Sequence, residues 1–223
     1  MFEGIKAVAF DIDGTLYPSW ALYVRMSGYF LRHISFYLKY NRVRKQLHKT
    51  APLADFYEYQ ARLFGFVSSK PADESKKIIR QICYDGLKPF FTKIKPFAHV
   101  YDCVLAMKNA GLKIGILSDF PPEQKGDIWG IRSLCDVCIG SEESGALKPS
   151  IYPFGILSKK LGVAPSEILY VGNSHKYDVL GANKAGMKSA CIQTGFRKLF
   201  GIKIPDADIS FKNYRQLQDI VLK

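Results

Sequence analysis

The chain has 223 residues, of which 48% are hydrophobic and 13% aromatic, and it carries 32 Lys and Arg against 20 Asp and Glu for a formal net charge of +12. That apolar content excludes an intrinsically disordered chain, and the length suits one sizeable core with an insertion better than two full domains. The charge favours anionic partners, whether phosphorylated small molecules, nucleic acid or lipid headgroups, without choosing among them.

No segment reaches the roughly 20 uncharged residues that span a bilayer. MFEGIKAVAFDID has too short an apolar stretch for a signal peptide, so a cytoplasmic protein is expected. Cys83, Cys103, Cys135, Cys138 and Cys191 are odd in number and scattered, the usage of reduced, buried thiols. Cys135-Asp136-Val137-Cys138 has zinc or redox spacing, but no second pair accompanies it, which favours a structural role.

In chain order, the first predicted element is IKAVAF, an apolar run that stops at Asp11 and reads as a buried strand. From Tyr17 to about Lys95 the rhythm changes to long helical patterns with no convincing strand. There Arg25, Gly28, Arg32, Ser35, Lys39 and Arg42 recur at intervals of three and four, with Tyr23, Met26, Phe30, Ile34, Tyr37 and Leu38 on the other side. This spacing predicts one basic amphipathic helix, and no Asp or Glu stands between Asp13 and Asp55. Pro71 to Glu74 with SKKIIRQICYDGL predicts a further helix, and Lys93-Ile94-Lys95-Pro96 a return linker. The basic, aromatic stretch 20–50 admits three readings: a packed helix with a solvated face, a funnel for an anionic substrate, or a membrane or nucleic-acid surface. The first needs no partner and is preferred, and no nucleic-acid partner is expected.

Beyond the linker, helical segments alternate with buried strands. Residues 97–110 precede LKIGIL, which ends at Ser118; CDVCIG ends at Ser141; residues 151–161 precede EILYVG, which ends at Asn173; and residues 174–185 precede SACIQ, which ends at Thr194. ADISF at 207–211 and NYRQLQDIVLK add a strand and a closing helix. Alternation of this kind predicts an α/β fold, a doubly wound parallel sheet. The expected organisation is a core of residues 1–16 and 97–223 with a helical insertion of residues 17–96.

The carboxyl ends of parallel strands converge on one crevice, and four of these ends are unusually polar. FDIDGTLY places Asp11 and Asp13 two apart where the first strand stops. Two carboxylates there are costly unless a cation or proton is shared, a demand that Mg2+ with oxygen ligands meets; a capped turn is the alternative. Taken alone, Ser118 reads as a turn hydroxyl and Lys148 as a solvated lysine before Pro149.

Together, FDIDGTLY, ILSD, the lysine of GALKPS and VGNSHKYDVLGA closely resemble, in order, the four motifs of the haloacid dehalogenase-like hydrolase superfamily. The resemblance covers the whole predicted core. It implies a Rossmann-like core with a helical cap inserted between the first and second motifs. It further implies a Mg2+-dependent phosphatase acting on a small phosphorylated metabolite through an aspartyl-phosphate. In that chemistry Asp11 is the nucleophile and Asp13 the general acid and base. Ser118, Asp119 and Lys148 stand at the phosphate, and Asp11, Asp13, Asn173 and Asp178 around the metal. The charge of Asp119 suggests no role of its own.

Two positions depart from the family pattern. Asn173 stands where aspartate is most frequent, and Ser118-Asp119 where Ser/Thr-Asn is frequent. Asn173 still offers a neutral carbonyl oxygen, and it can also cap the following helix. One negative charge is lost, so weakened Mg2+ affinity is expected. A binding scaffold without turnover and a phosphomutase stay open beside the phosphatase. A dehalogenase is a poorer match, because Asp13 supplies a second acid. His175, a lone imidazole beyond a strand end, is read as a surface residue without a role. Substrate identity and oligomeric state are open.

Overall fold

The computed structural model describes residues 2–223 and contains one six-stranded sheet in the order β3-β2-β1-β4-β5-β6. Its strands are β1 (Ala7–Phe10), β2 (Lys113–Ser118), β3 (Val137–Gly140), β4 (Ile168–Gly172), β5 (Lys188–Ile192) and β6 (Ile209–Phe211), every pair of neighbours parallel. β1 lies near the centre, with both its edges paired: Ala7 pairs with Lys113 of β2 on one side and Ile168 of β4 on the other.

Alternation along β1 divides the core into two layers. Val8 and Phe10 join Ile114, Leu169 and Val171 under α6 (Val100–Asn109) and α10 (Tyr214–Leu222), while Ala7 and Ala9 join Leu117 and Tyr170 under α7 (Ile151–Leu161). With helices on both faces, β1 and β4 are buried throughout and β2 and β5 are exposed only at their first residues, and this is why they read as continuous apolar runs. The strand order reverses between β1 and β4, and the crevice beyond their carboxyl ends is where this architecture binds ligands.

Residues 17–96 form α1 (Ser19–Arg32), α2 (Ile34–Leu47), α3 (Phe56–Ser68), α4 (Ala72–Ile79) and the short α5 (Lys88–Phe91), and hold no strand. Asp55 caps α3 by accepting the Glu58 amide at 2.9 Å, and α4 runs on into a wider π-helical turn, Arg80–Asp85. The single amphipathic helix predicted across residues 23–42 is corrected. His33 breaks it at φ −113°, ψ 25°, and its amide is shared between the Tyr29 and Phe30 carbonyls. The break resets the phase, so a helical period carried through it assigns the wrong face. Met26 and Tyr37 are buried as expected, but Tyr23, Ile34 and Leu38 are exposed, and Phe36, Tyr40, Val43 and Leu47 are the buried side chains of α2.

The insertion and the sheet share one apolar cluster, in which Met26, Phe36 and Phe64 are continuous with Val8 and Phe10. Polar contacts also cross. The Arg44 guanidinium of α2 pairs with Glu142, which accepts the Tyr84 hydroxyl at 2.7 Å, and Gln124 donates to the Cys83 carbonyl at 2.7 Å. Of the cysteines, Cys83, Cys103 and Cys191 are buried and Cys135 and Cys138 half-buried at the β3 edge. All five are free thiols. Burial pushes Cys135 up to about 12 and Cys138 up to about 11, so neither is thiolate-like. Among the described residues no helix is long and apolar enough to cross a membrane.

Candidate active site

Asp11 is the first residue beyond β1, and its amide donates to the Val171 carbonyl at 2.9 Å, which keeps it in line with β4. The carboxylate is buried, with Oδ1 2.8 Å from Lys148 Nζ and Oδ2 accepting the Thr15 hydroxyl at 2.8 Å. Burial pushes Asp11 up to about 7; the Lys148 ammonium pulls it down, and the nearby carboxylates of Asp178 and Asp13 push it up. The turn that follows requires Gly14 at φ +85°, where a methyl group would collide with Asn173 Nδ2 and Ser19 Oγ.

Asp13 faces a different set of groups. Its Oδ1 accepts the Tyr17 hydroxyl at 2.6 Å, and its Oδ2 lies 3.0 Å from Lys125 Nζ and 3.4 Å from Ser118 Oγ. Burial would raise this carboxyl, but Lys125 and Tyr17 together hold it below the usual carboxylate range. Lys125 comes from the 3-10 turn Pro122–Lys125 beyond β2. Its side chain is fully buried, with Nζ 5.1 Å from the Phe91 ring centroid and 5.3 Å from that of Phe120.

Lys148 is the hub of the other half. Nζ donates to Asp11 Oδ1 at 2.8 Å, to Asp178 Oδ1 at 2.6 Å and to the Tyr170 hydroxyl at 3.1 Å. The Tyr170 hydroxyl passes its own proton to the Leu117 carbonyl at 2.8 Å. Burial alone would lower the lysine, but Asp11 and Asp178 raise it well above its ordinary value, so it stays charged. Asp178 uses Oδ2 to accept the amides of Asn173 at 3.1 Å and Ser174 at 2.9 Å, closing the loop after β4. Gly172 leaves room for that return, since a methyl there would overlap the Asp178 carboxylate. The Lys148 amide donates to Asp119 Oδ1 at 3.1 Å, and the Lys148 carbonyl accepts His48 Nδ1 at 2.6 Å.

These contacts separate the residues singled out in the sequence into two groups. Asp11, Lys148 and Asp178 form one ion cluster, with Asn173 beside it: its Oδ1 lies 3.3 Å from the same Thr15 hydroxyl that binds Asp11. Asp13 and Ser118 form the second group with Lys125. Asp119, expected at the phosphate, lines the same cavity as Asp11 and Lys148, and its Oδ1 accepts the Lys148 amide, which holds the lysine loop to the end of β2. His175 lies on the surface with Nε2 2.8 Å from Asp206. Lys125, Thr15, Tyr17 and His48 were missed by sequence reasoning. Only Thr15 carried a signal, its place in the DxDGT turn; Lys125, in PPEQKG, looks like any loop lysine.

The oxygen-rich donor set is of the kind that a small hard cation binds. Among the described residues no group of three or more His, Cys, Asp and Glu side chains is arranged as a metal site. Mg2+ does not need one, because it binds through one or two carboxylates together with phosphate and water oxygens. Asp11 Oδ2 and Asn173 Oδ1, both within reach of one hydroxyl, supply a carboxylate and a neutral oxygen facing a common point. Asp11, Asp13 and Asp178 outnumber the two ammonium groups of Lys125 and Lys148, so either a cation or a proton on Asp11 balances the cluster. The residues fit Mg2+.

A cavity of about 830 Å³ opens from these carboxylates toward α1 and α2. Asp11, Asp13, Lys148 and Asn173 form its floor, and Leu22, Met26, Phe30 and Leu87 are among the residues of its walls. His48, which stacks on Tyr177 with ring centroids 4.5 Å apart, closes one side. Burial lowers the His48 pKa, so the ring is neutral near pH 7.

Comparison with known proteins gives a consistent result. A family model described as haloacid dehalogenase-like hydrolase matches residues 5–186. The chain is 28% identical over 228 residues to the glyceraldehyde 3-phosphate phosphatase of Methanopyrus kandleri, covering 97% of each. It is 24% identical over 248 residues to the phosphoglycolate phosphatase of Escherichia coli (strain K12), covering 97% of this chain and 92% of that one. In fold it is similar to a HAD phosphatase from Thermococcus onnurineus (TM-score 0.63, 22% identity, 97% and 98% of the two chains). A similar likeness links it to the L-2-haloacid dehalogenase of Xanthobacter autotrophicus (TM-score 0.66, 19% identity, 98% of each).

Proposed function

The chain belongs to the haloacid dehalogenase-like hydrolases, and from that premise we propose that it is a Mg2+-dependent phosphatase releasing phosphate from a monoester through an aspartyl-phosphate on Asp11. The observation that carries this reading is the Asp11–Lys148 contact at 2.8 Å at the switch point of the sheet, with Asp13 two residues further on. Relatives that act on glyceraldehyde 3-phosphate and phosphoglycolate support a phosphomonoester as substrate.

In the first step a carboxylate oxygen of Asp11 forms a bond to phosphorus as the ester P–O bond breaks, and the leaving oxygen takes a proton from Asp13. Water then forms the new P–O bond, Asp13 accepts its proton, and the Asp11 carboxylate leaves. Lys148 stays cationic and offsets charge on the phosphoryl oxygens, and Ser118 positions Asp13. Asp11, Asp13 and Asn173, with Asp178 behind them, would hold Mg2+, which when bound would supply further neutralisation of phosphoryl charge. Asp13 is ionised in the free protein because Lys125 and Tyr17 face it. The proton for the leaving group therefore arrives with the substrate, as a monoester monoanion whose second pKa is about 6. Residues 17–96 act as the cap that excludes water from this chemistry.

Phosphate release from 4-nitrophenyl phosphate tests the reading. Release that depends on Mg2+ and is abolished by Asp11→Asn is expected. No release across a broad panel of phosphomonoesters overturns it and leaves a phosphate-binding scaffold, the alternative that Asn173 favours.

A further inference from the structure

We propose that the ester this site hydrolyses carries a long apolar chain, a single-chain lipid phosphate, in place of a two- or three-carbon acid or aldehyde. The inference rests on the phosphatase reading above and on three properties of the cavity.

The first is size. At about 830 Å³ the cavity equals the volume of about 28 liquid waters at ~30 Å³ each. A phosphate bearing a two- or three-carbon group has roughly ten non-hydrogen atoms and would leave most of that space to water, whereas binding pockets usually enclose most of their ligand.

The second is chemistry. Beyond the carboxylate floor the wall is apolar along one side of α1, where Leu22, Met26 and Phe30 line it, and Leu87 and Phe91 line it from α5 and its approach. The basic groups of the lining are Arg44, His48 and Lys148. Arg44 is spent on Glu142, Lys148 on Asp11 and Asp178, and His48 is neutral and donates to the Lys148 carbonyl. Among the described residues, no cation of the lining is left to receive a second anionic group such as a carboxylate at the far end of the substrate. Among the described residues, the Tyr37 hydroxyl is the one side-chain polar atom of the lining that is buried without a hydrogen-bond partner. It suits a single ester or hydroxyl oxygen along an otherwise apolar chain.

The third is access. Tyr23 and Leu31 both line the cavity and lie 66% and 69% exposed, so they mark its mouth. Their neighbours Trp20 and Val24 on α1 are exposed as well. An apolar rim lowers the cost of drawing a chain out of water, and a small, highly charged metabolite gains nothing from it.

The experiment is a chain-length ladder of n-alkyl phosphates from ethyl to decyl, kept below their micellar concentrations, with 2-phosphoglycolate and glyceraldehyde 3-phosphate alongside. Each methylene buried in the cavity should raise kcat/KM about three- to fourfold until the chain fills it, and both short metabolites should fall below octyl phosphate. Met26→Gln, in the wall, should flatten the slope. A flat ladder, or a metabolite ahead of octyl phosphate, while 4-nitrophenyl phosphate is still hydrolysed, overturns this inference and leaves the phosphatase reading intact. If nothing is hydrolysed, the phosphatase reading fails, and calorimetric binding of the matching alkylphosphonates decides the chain question by itself. A binding constant rising with length supports the apolar cavity, and one independent of length removes it.

Discussion

Lys125 reaches Asp13 from a turn that follows a different strand, its Nζ 3.0 Å from Oδ2 and its side chain sealed from solvent between Phe91 and Phe120. A buried ammonium so close to the residue that must exchange protons sets the pH at which that residue works. With Lys125 present, Asp13 stays ionised below the usual carboxylate range. Lys125→Met removes the attraction while burial remains, so the carboxyl pKa rises. The titration of the Asp13 carboxyl itself, followed by NMR in the free protein, is expected to move to higher pH. A lysine that served packing alone would lower activity or stability and leave that titration where it was.

Lys125 also shows where the sequence stops being readable. Strands such as ILYVG are legible because a doubly wound sheet buries them on both faces and leaves a continuous apolar run. Asp11 and Lys148 are legible because they stand within extended motifs, Asp11 just beyond β1 and Lys148 in the loop between β3 and α7. The break at His33 is not, because nothing in HISFYLKY departs from a helical pattern; the turn is imposed by packing of Phe36 and Tyr40 against Phe64. Nor is the direction of Asp178, which has the spacing of a metal ligand but spends its oxygens on Lys148 and two loop amides. Those choices are made by residues distant in sequence.

Asp11 offers a measurement on the metal-free protein. Its folded pKa of about 7 stands above its ordinary 3.8. Its proton is therefore held more tightly in the folded state, and the stability this contributes is present below pH about 4 and lost as pH rises through about 7. Chelator-treated protein should lose stability between about pH 4 and pH 7 through this group. Mg2+, which favours the ionised form, should restore it at the upper end and release protons on binding. Calorimetry in two buffers of different ionisation enthalpy measures that release. A heat identical in both buffers at pH 6.5 would place the metal away from Asp11.

Lys148→Met should be far more damaging than the loss of a surface lysine. It leaves Asp11 and Asp178 buried side by side with no shared cation, which pushes Asp11 further up and away from its nucleophilic form. Loss of a buried charge stabiliser of this kind costs about 10²–10³ in kcat. Steady-state kinetics at saturating Mg2+ reads it. A fall in kcat with little change in KM is expected if the lysine stabilises transferred charge.

Asn173→Asp tests the neutral position of the site. Its Oδ1 shares the Thr15 hydroxyl with Asp11, so a carboxylate there would add charge at the same point. Tighter Mg2+ binding is expected, seen as a lower half-saturating concentration in titrations of phosphate release. The added charge also brings a third acid beside Asp11 and Asp178, and without metal the variant should melt at lower temperature than the parent. Superimposable Mg2+ titrations would mean that Asn173 does not touch the metal and serves only the loop.

The pair between Arg44 and Glu142 ties the helical insertion to the sheet and shapes the cavity at once. Both side chains are almost wholly buried, Arg44 lies 4.4 Å over the Phe120 ring, and Glu142 also accepts the Tyr84 hydroxyl. Burial raises the Glu142 carboxyl above its ordinary value, and Arg44 and the Tyr84 hydroxyl pull it back down. Arg44→Met strips the charge from one side and should cost about 3–5 kcal/mol of unfolding free energy at neutral pH, because an unpaired carboxylate stays in the interior. Glu142→Gln keeps two hydrogen-bonding atoms but leaves Arg44 without its counter-ion. The double variant, with both charges gone, should recover part of either loss, and urea unfolding of the four proteins closes the cycle. The Arg44→Met deficit should shrink as pH falls and Glu142 takes up a proton. A deficit independent of pH would mean that Arg44 stabilises through packing on Phe120 and not through its charge.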